Sequence, residues 1–175
     1  MAILAFAASS SKKSINKQLL TYISNELLPE KAVEILDLND YELPLFSIDK
    51  EEELGHPELA KAFLSKITHS DGIIISFAEH NGSYSAAYKN LFDWCSRINP
   101  KVFQKKTMVL LSTSPGARGG ASVLAAAVKS VPFFDGDVKG SLSIANFYEQ
   151  FDTQHCTLLK AETKEKLIEV LKTFS

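Results

Sequence analysis

Residues 71–94 read DGIIISFAEHNGSYSAAYKNLFDW, and this stretch decides the architecture. Residues 73–77, IIISF, are the most apolar, β-branched run of the chain, which is the composition of a central strand buried on both faces. Ser70, Asp71 and Gly72 form a turn ahead of it. Residues 78–83, AEHNGS, are polar. A helical spacing follows, with Ala87, Leu91, Trp94 or Cys95, and Ile98 on one side, ending before Pro100. A doubly covered strand that passes through a polar loop into a helix is the repeating unit of a parallel α/β sheet.

The same unit recurs on either side. Residues 2–8 are a short apolar run broken by Ser9, Ser10 and Ser11. Ile15, Leu19, Leu20, Ile23 and Leu27 then fall on one helical face, and Pro29 stops that helix. Residues 32–38 read as a second strand. Residues 39–57 form a polar, acidic connection, long enough to suggest a functional loop. Pro57 opens a helix carrying Leu59, Phe63 and Ile67. Downstream, residues 107–111 make a fourth strand, residues 122–131 an alanine-rich helix stopped by Pro132, residues 138–144 a fifth strand, and residues 160–174 a closing amphipathic helix. Five strands alternating with helices predict a flavodoxin-like three-layer sandwich with a five-stranded parallel sheet in the order 2-1-3-4-5. Right-handed crossovers then bring the loops after strands 1, 3 and 4 to one edge, at the switch point where such sheets bind ligands.

At 175 residues the chain is the size of one domain, 1–175. It is 45% apolar and 23% charged with a formal net charge of −2, which argues against a broad basic face for nucleic acid or membrane. The apolar run at the start is too short for a signal segment or a membrane span, so cytoplasmic localisation is expected. Cys95 and Cys156 form no C-x-x-C or metal-type pair. Cys95 lies in an apolar helical pattern and reads as a buried thiol in a reducing compartment. His56, His69, His80 and His155 are scattered and suggest no metal site.

Three loops carry the candidate chemistry. Residues 8–16, ASSSKKSIN, open a helix whose first amides, with hydroxyls around them, suit a phosphate. Serving only as a helix cap at Ser14 is the plainer alternative. In residues 77–90, Asn81-Gly82 is a turn signal; the loop is either a backbone platform for a flat ring or a plain turn capped by Ser83. In residues 112–122, STSPGARGGAS, Pro115-Gly116 makes a turn and Gly119-Gly120 leaves room for a ligand against the backbone, unless the stretch is only a flexible connection. Arg118 is either a solvated charge or a partner for a nucleotide phosphate.

Taken together, SSSKKSIN, LNDYELPLFS, DGIIISFAEHNGSYSAAYKNLFDW and STSPGARGG resemble the NADPH-dependent FMN reductase family, whose relatives include azoreductases and quinone or chromate reductases. The resemblance implies non-covalent FMN, with NADPH or NADH as co-substrate. It assigns the FMN phosphate to the loop matching G-S-x-R-x-x-S-x-N, at Ser9, Ser11, Ser14, Ile15 and Asn16. It assigns the ring to the loop matching P-E-Y-N-x-S, at Glu79, His80, Asn81, Gly82 and Ser83. The S-P-G-x-x-G-G loop, with Thr113, Ser114, Pro115, Gly116 and Gly119, flanks the ring from the other side. Four family positions differ: the first glycine is Ala8, the arginine is Ser11, and the proline and tyrosine of the second loop are Ala78 and His80.

The implied activity is electron transfer from a nicotinamide nucleotide through bound FMN to a small acceptor such as free flavin or a quinone. The cofactor carries that chemistry, so no protein acid, base or nucleophile is expected. The alternatives are a flavodoxin-type FMN electron carrier, for which the chain is not acidic enough; a phospho-acceptor receiver, for which strand 1 lacks the acids; and a flavin-free interaction protein. The resemblance also implies a homodimer or homotetramer. Tyr84, Tyr88, Phe92 and Val123 are candidates for its interface, or simply pack on the sheet.

Overall fold

The computed structural model describes residues 1–174. Its five-stranded sheet runs β2-β1-β3-β4-β5, every pair parallel, as the sequence predicts. The strands are β1 (Ala2–Ala8), β2 (Ala32–Leu36), β3 (Gly72–Phe77), β4 (Thr107–Thr113) and β5 (Asp137–Ile144). The helices are α1 (Ile15–Tyr22), α2 (Ile48–Leu54), α3 (Glu58–Thr68), α4 (Ala86–Ile98), α5 (Ala121–Ser130), α6 (Phe147–Gln150) and α7 (Ala161–Leu171).

Side chains of the central strands alternate between two cores. Leu4, Phe6, Ile73, Ile75, Phe77, Met108 and Leu110 face α3, α4 and α5. Ile3, Ala5, Ile74, Val109 and Leu111 face α1 and α7. Every residue of β3 is buried, and β1 and β4 are buried along nearly their whole length. Removing this apolar surface from water, at about 25 cal/mol per Å², drives the assembly. At the β3 start, Gly72 is required by close packing: a Cβ there would lie 2.5 Å from the ring of Phe174.

Several boundaries differ from the sequence reading. β2 stops at Leu36, because Asp37 accepts the Asn39 amide (2.9 Å) and turns residues 38–41 into a 3₁₀ helix. The buried stripe of α3 is Ala60, Phe63, Leu64 and Ile67, whereas Leu59 is 40% exposed. Residues 39–57 are not a plain loop. They contain α2, capped by Ser47, and are stitched to α4 by Asn90, which accepts the Phe46 amide (2.8 Å), and by Trp94, whose indole donates to the Pro44 carbonyl (2.8 Å). The Pro29-terminated helix is regular only to Tyr22 and widens into a π-turn over Ile23–Leu27. Pro132 does not end the fifth helix abruptly but sits within a 3₁₀ turn, Val131–Phe134. The last helix is regular over Ala161–Leu171 and tightens to 3₁₀ afterwards. Between β5 and α7 the chain forms α6 and a small hairpin, β6 (Phe151–Asp152) with β7 (Thr157–Leu158), which the sequence reading missed. Among the described residues no helix is long and apolar enough to cross a membrane.

Cys95 is buried, as expected, and burial pushes its thiol up to about 12. Cys156 is only half-buried. A thiol reagent at pH 8 should therefore label one cysteine in the native protein and both in urea, because reactivity follows the accessible thiolate. Two fast equivalents in the native state would contradict this packing.

Candidate functional site

The loops after β1, β3 and β4 meet at the carboxyl ends of the strands, around an open trough of about 240 Å³. Larger hollows exist, including one of about 630 Å³ lined by Ala32, Glu34, Lys66 and His69. That one lies at the opposite end of the sheet, its polar lining dominated by a Glu34–Lys66 ion pair (2.5 Å). The trough, with its concentration of amides and hydroxyls, is the chemically equipped site.

Loop 1 supplies donors. Ser9 accepts the amide of Ser11 (3.1 Å), Ser11 that of Lys13 (3.3 Å), and Ser14 caps the amide of Lys17 (3.2 Å). Each hydroxyl uses its oxygen inside the loop and keeps its proton available to an outside acceptor. The amides of Ile15 and Asn16, at the start of α1, have no partner among the described residues. Lys13 lines the trough. Lys17 is turned away to Asp37 (2.6 Å), and its ammonium holds the Asp37 carboxyl below the usual carboxylate range. Unsatisfied amides at a helix start, hydroxyl protons and a lysine make a donor set that fits a phosphate.

The Asn16 side chain is not part of that set. It is buried, its oxygen accepts from the Ser76 hydroxyl (2.7 Å) and the Thr113 amide (3.1 Å), and its NH₂ donates to the Thr113 carbonyl (3.3 Å). It binds α1 to the ends of β3 and β4, and its backbone amide is the polar group it leaves unpartnered, among the described residues, at the start of the helix.

Loop 2 turns tightly. His80 and Ser83 exchange both backbone hydrogen bonds (3.0 Å each), with Asn81 and Gly82 at φ 51° and 78°, the twist of a type I′ turn. Ser83 does not cap the next helix; Ser85 does, accepting the Tyr88 amide (3.3 Å) while donating to the Ala8 carbonyl (2.8 Å). Ala78, Glu79 and His80 line the trough, whereas Asn81, Gly82 and Ser83 form the turn beyond it.

Loop 3 contributes Thr113, Ser114 and Pro115 to the lining. Gly116 faces open space outside it. Gly119 has no room on the side where a Cβ would stand. It sits at φ 59°, and a Cβ would fall 2.6 Å from the Ser143 hydroxyl and 2.8 Å from the Ala145 amide. A Cβ on Gly120 would likewise meet Ser112 at 3.1 Å. These glycines let the chain pack against itself. The sequence reading missed Tyr148, an exposed aromatic on the far wall. Its segment is fixed to loop 3 by Asn146 and Phe147, whose amides donate to the Gly116 (3.0 Å) and Ser114 (3.1 Å) carbonyls. The only signal was a Phe-Tyr pair just past the fifth strand.

The four histidines stand apart. His80 sits at the exposed turn, His155 pairs with Asp152 (2.8 Å) and His56 with Glu51 (3.3 Å), and His69 bonds the Ser65 carbonyl (2.7 Å). Among the described residues no three His, Cys, Asp or Glu group to hold a metal.

The fold and the trough thus define a flavodoxin-like α/β protein with a cleft lined by amides and hydroxyls at the switch point of its sheet. Residues 1–149 match the model of the family described as NADPH-dependent FMN reductase, and the chain belongs to that family. It is 34% identical over 123 residues to an NADPH:quinone oxidoreductase of Arabidopsis thaliana, covering 69% of this chain and 61% of that protein, under two thirds of its length. It is 33% identical over 135 residues to a quinone reductase of Pseudomonas putida, covering 76% and 70%. The flavoenzyme NAD(P)H:(acceptor) oxidoreductase FerB of Paracoccus denitrificans shares the fold at a TM-score of 0.80 and 23% identity, covering 99% of this chain and 94% of that one.

Replacing Asn16 by Ala should destabilise the protein by about 2–4 kcal/mol in urea unfolding, because the Ser76 hydroxyl and the Thr113 amide and carbonyl lose their buried partner. Ser14→Ala, which removes a helix cap, should cost about 1 kcal/mol. Equal effects would argue that Asn16 does not hold the strands together.

Proposed function

We propose that this chain binds FMN non-covalently in the trough, as a single domain spanning residues 1–175, and passes electrons from NADPH or NADH to a small acceptor such as a quinone or free flavin. The observation that carries the reading is the donor set of loop 1, lying where two further loops of the matching family pattern converge. The hydroxyls of Ser9, Ser11 and Ser14, the amides of Ile15 and Asn16, and Lys13 would hold the phosphate. His80 on one side, and Thr113, Ser114 and Pro115 on the other, would flank the ring, while Glu79, whose carboxylate is spent on the Val123 amide and Arg118, would act through the shape of loop 2. Asn81, Gly82 and Ser83 would support that ring through the shape of the turn, and Gly116 and Gly119 through the shape of loop 3. When bound, FMN supplies the two-electron chemistry; the protein's part is to bind, orient and tune it.

Ser11 stands where the family pattern has arginine, so the phosphate would meet hydroxyls and the point charge of Lys13 instead of a bidentate guanidinium. We also infer a cytoplasmic protein, in keeping with two free thiols, and a homodimer or homotetramer. Tyr88 and Val123 are buried in the protein's own core, which leaves half-buried Tyr84 and Phe92 as the aromatics available to a second copy. They line a hollow of about 310 Å³ beside α4 and α5.

Anaerobic addition of NADPH or NADH to the FMN-loaded protein should bleach the flavin absorbance, and a quinone should restore it. Bound flavin that stays oxidised with both nucleotides would make the protein an electron carrier instead. FMN should bind about tenfold or more tighter than riboflavin, the weight of charge-assisted hydrogen bonds to one phosphate. Equal affinity would remove the phosphate assignment.

A further inference from the structure

The family pattern places Glu79 beside the ring, yet its carboxylate is directed elsewhere. Its side chain is only 9% exposed. One oxygen accepts the backbone amide of Val123 (3.0 Å), 44 residues downstream in the first turn of α5, and the other lies 3.5 Å from the Arg118 guanidinium. α5 needs an outside partner there. Its own N-cap is Gly120, in the left-handed region with no side chain to offer, and its first turn contains no acid. Glycine at 120 is also favoured by its φ of 76° and by Ser112, whose Cβ would lie 3.1 Å from an added Cβ. A negative charge against the first amides of a helix is favourable both as a hydrogen bond and through the helix dipole.

We propose that Glu79 is a positioning residue, a cap supplied in trans along the chain that fixes loop 2 to the start of α5 and so sets the spacing of the two walls of the trough. Loop 3 runs between those anchor points. Its far end is held by Ser112 and Ser143, both donating to the Gly119 carbonyl (2.8 and 3.0 Å). Its links to loop 2 are the bond from Glu79 to Val123, just past its end in α5, and the exposed Arg118–Glu79 pair. Arg118 is 77% exposed and covers the carboxylate without being needed for the cap. The functional side of the inference rests on the flavin reading above; the cap itself does not.

Two substitutions separate reach from charge. Glu79→Gln keeps the reach and an acceptor oxygen but loses the charge, whereas Glu79→Asp keeps the charge and falls short of Val123. Amide exchange at Val123 and Leu124 in flavin-free protein, and FMN affinity by fluorescence quenching, give two readouts. Expected is Glu79→Gln within about threefold of the natural protein in both, and Glu79→Asp faster in exchange and weaker in FMN binding by about five- to tenfold, the weight of one helix cap. Arg118→Ala should follow Glu79→Gln. Unchanged Val123 exchange in Glu79→Asp would overturn the proposal. So would the reverse ranking in FMN affinity, which would make Glu79 a direct, charge-dependent flavin contact. If the natural protein binds no FMN, the functional reading falls while the exchange arm still decides the cap.

Discussion

The loop end of this sheet depends on one buried amide, the side chain of Asn16. Where parallel strands hand over to helices, their last polar groups leave the ladder but remain under the layers above and below. Here those groups are the Ser76 hydroxyl at the end of β3 and the Thr113 peptide at the end of β4. Unpaired, each would carry a desolvation cost comparable to a full hydrogen bond. An amide side chain accepts and donates from adjacent atoms, and Asn16 delivers it from the first turn of α1. The same contact fixes which way the helix start points. Because the side chain is drawn inward, the Ile15 and Asn16 amides are left on the trough side, and the loop before them is held on a rigid base.

The central part of the fold was legible because burial writes itself into composition. β1, β3 and β4 are covered on both faces, so they read as continuous apolar runs, and their positions and order follow from the alternation with helices. The edge strands are half-solvated, and β2 was overextended because Leu38, although buried, belongs to a turn that Asp37 imposes through its own side chain. Leu59 departs from its expected burial for a related reason. Periodicity gives a face one residue wide of the truth when small residues such as Ala60 take the closest contact, and only packing reveals that. The hairpin after β5 consists of two-residue strands, too short to leave a pattern.

Within the site, the lining of loop 1 was legible but for Lys13, and that of loops 2 and 3 in part. Ser9, Ser11, Ser14, Ile15 and Asn16 all border the trough, as do Glu79, His80, Thr113, Ser114 and Pro115. What the chain could not disclose is the direction of individual groups. Gly119 and Gly120 look like space left for a ligand, but on their Cβ sides the space is taken by Ser143, Ala145 and Ser112. Ser83 and Ser85 are both plausible caps, and the choice is made by the Ala8 carbonyl, a group distant in sequence. Tyr148 borders the site only because two backbone bonds fold its segment onto loop 3.

These directions share a logic. Ser112, Thr113, Ser143 and Asn16 spend their polar atoms on the backbone of neighbouring loops, while the serines of loop 1 accept from their own loop and keep their protons. A site held this way needs little reorganisation when an anion arrives, since its donors are fixed before binding. That compensates in kind for Ser11 at the arginine position. A guanidinium brings charge and a rigid fork but must be ordered from a long side chain, whereas short hydroxyls and helix amides bring less charge already in place. On the flavin reading, the family pattern and this chain thus reach the same phosphate by different balances of Coulomb attraction and preorganisation. The balance here places more of the binding on the rigidity of loop 1, and hence on Asn16 beneath it.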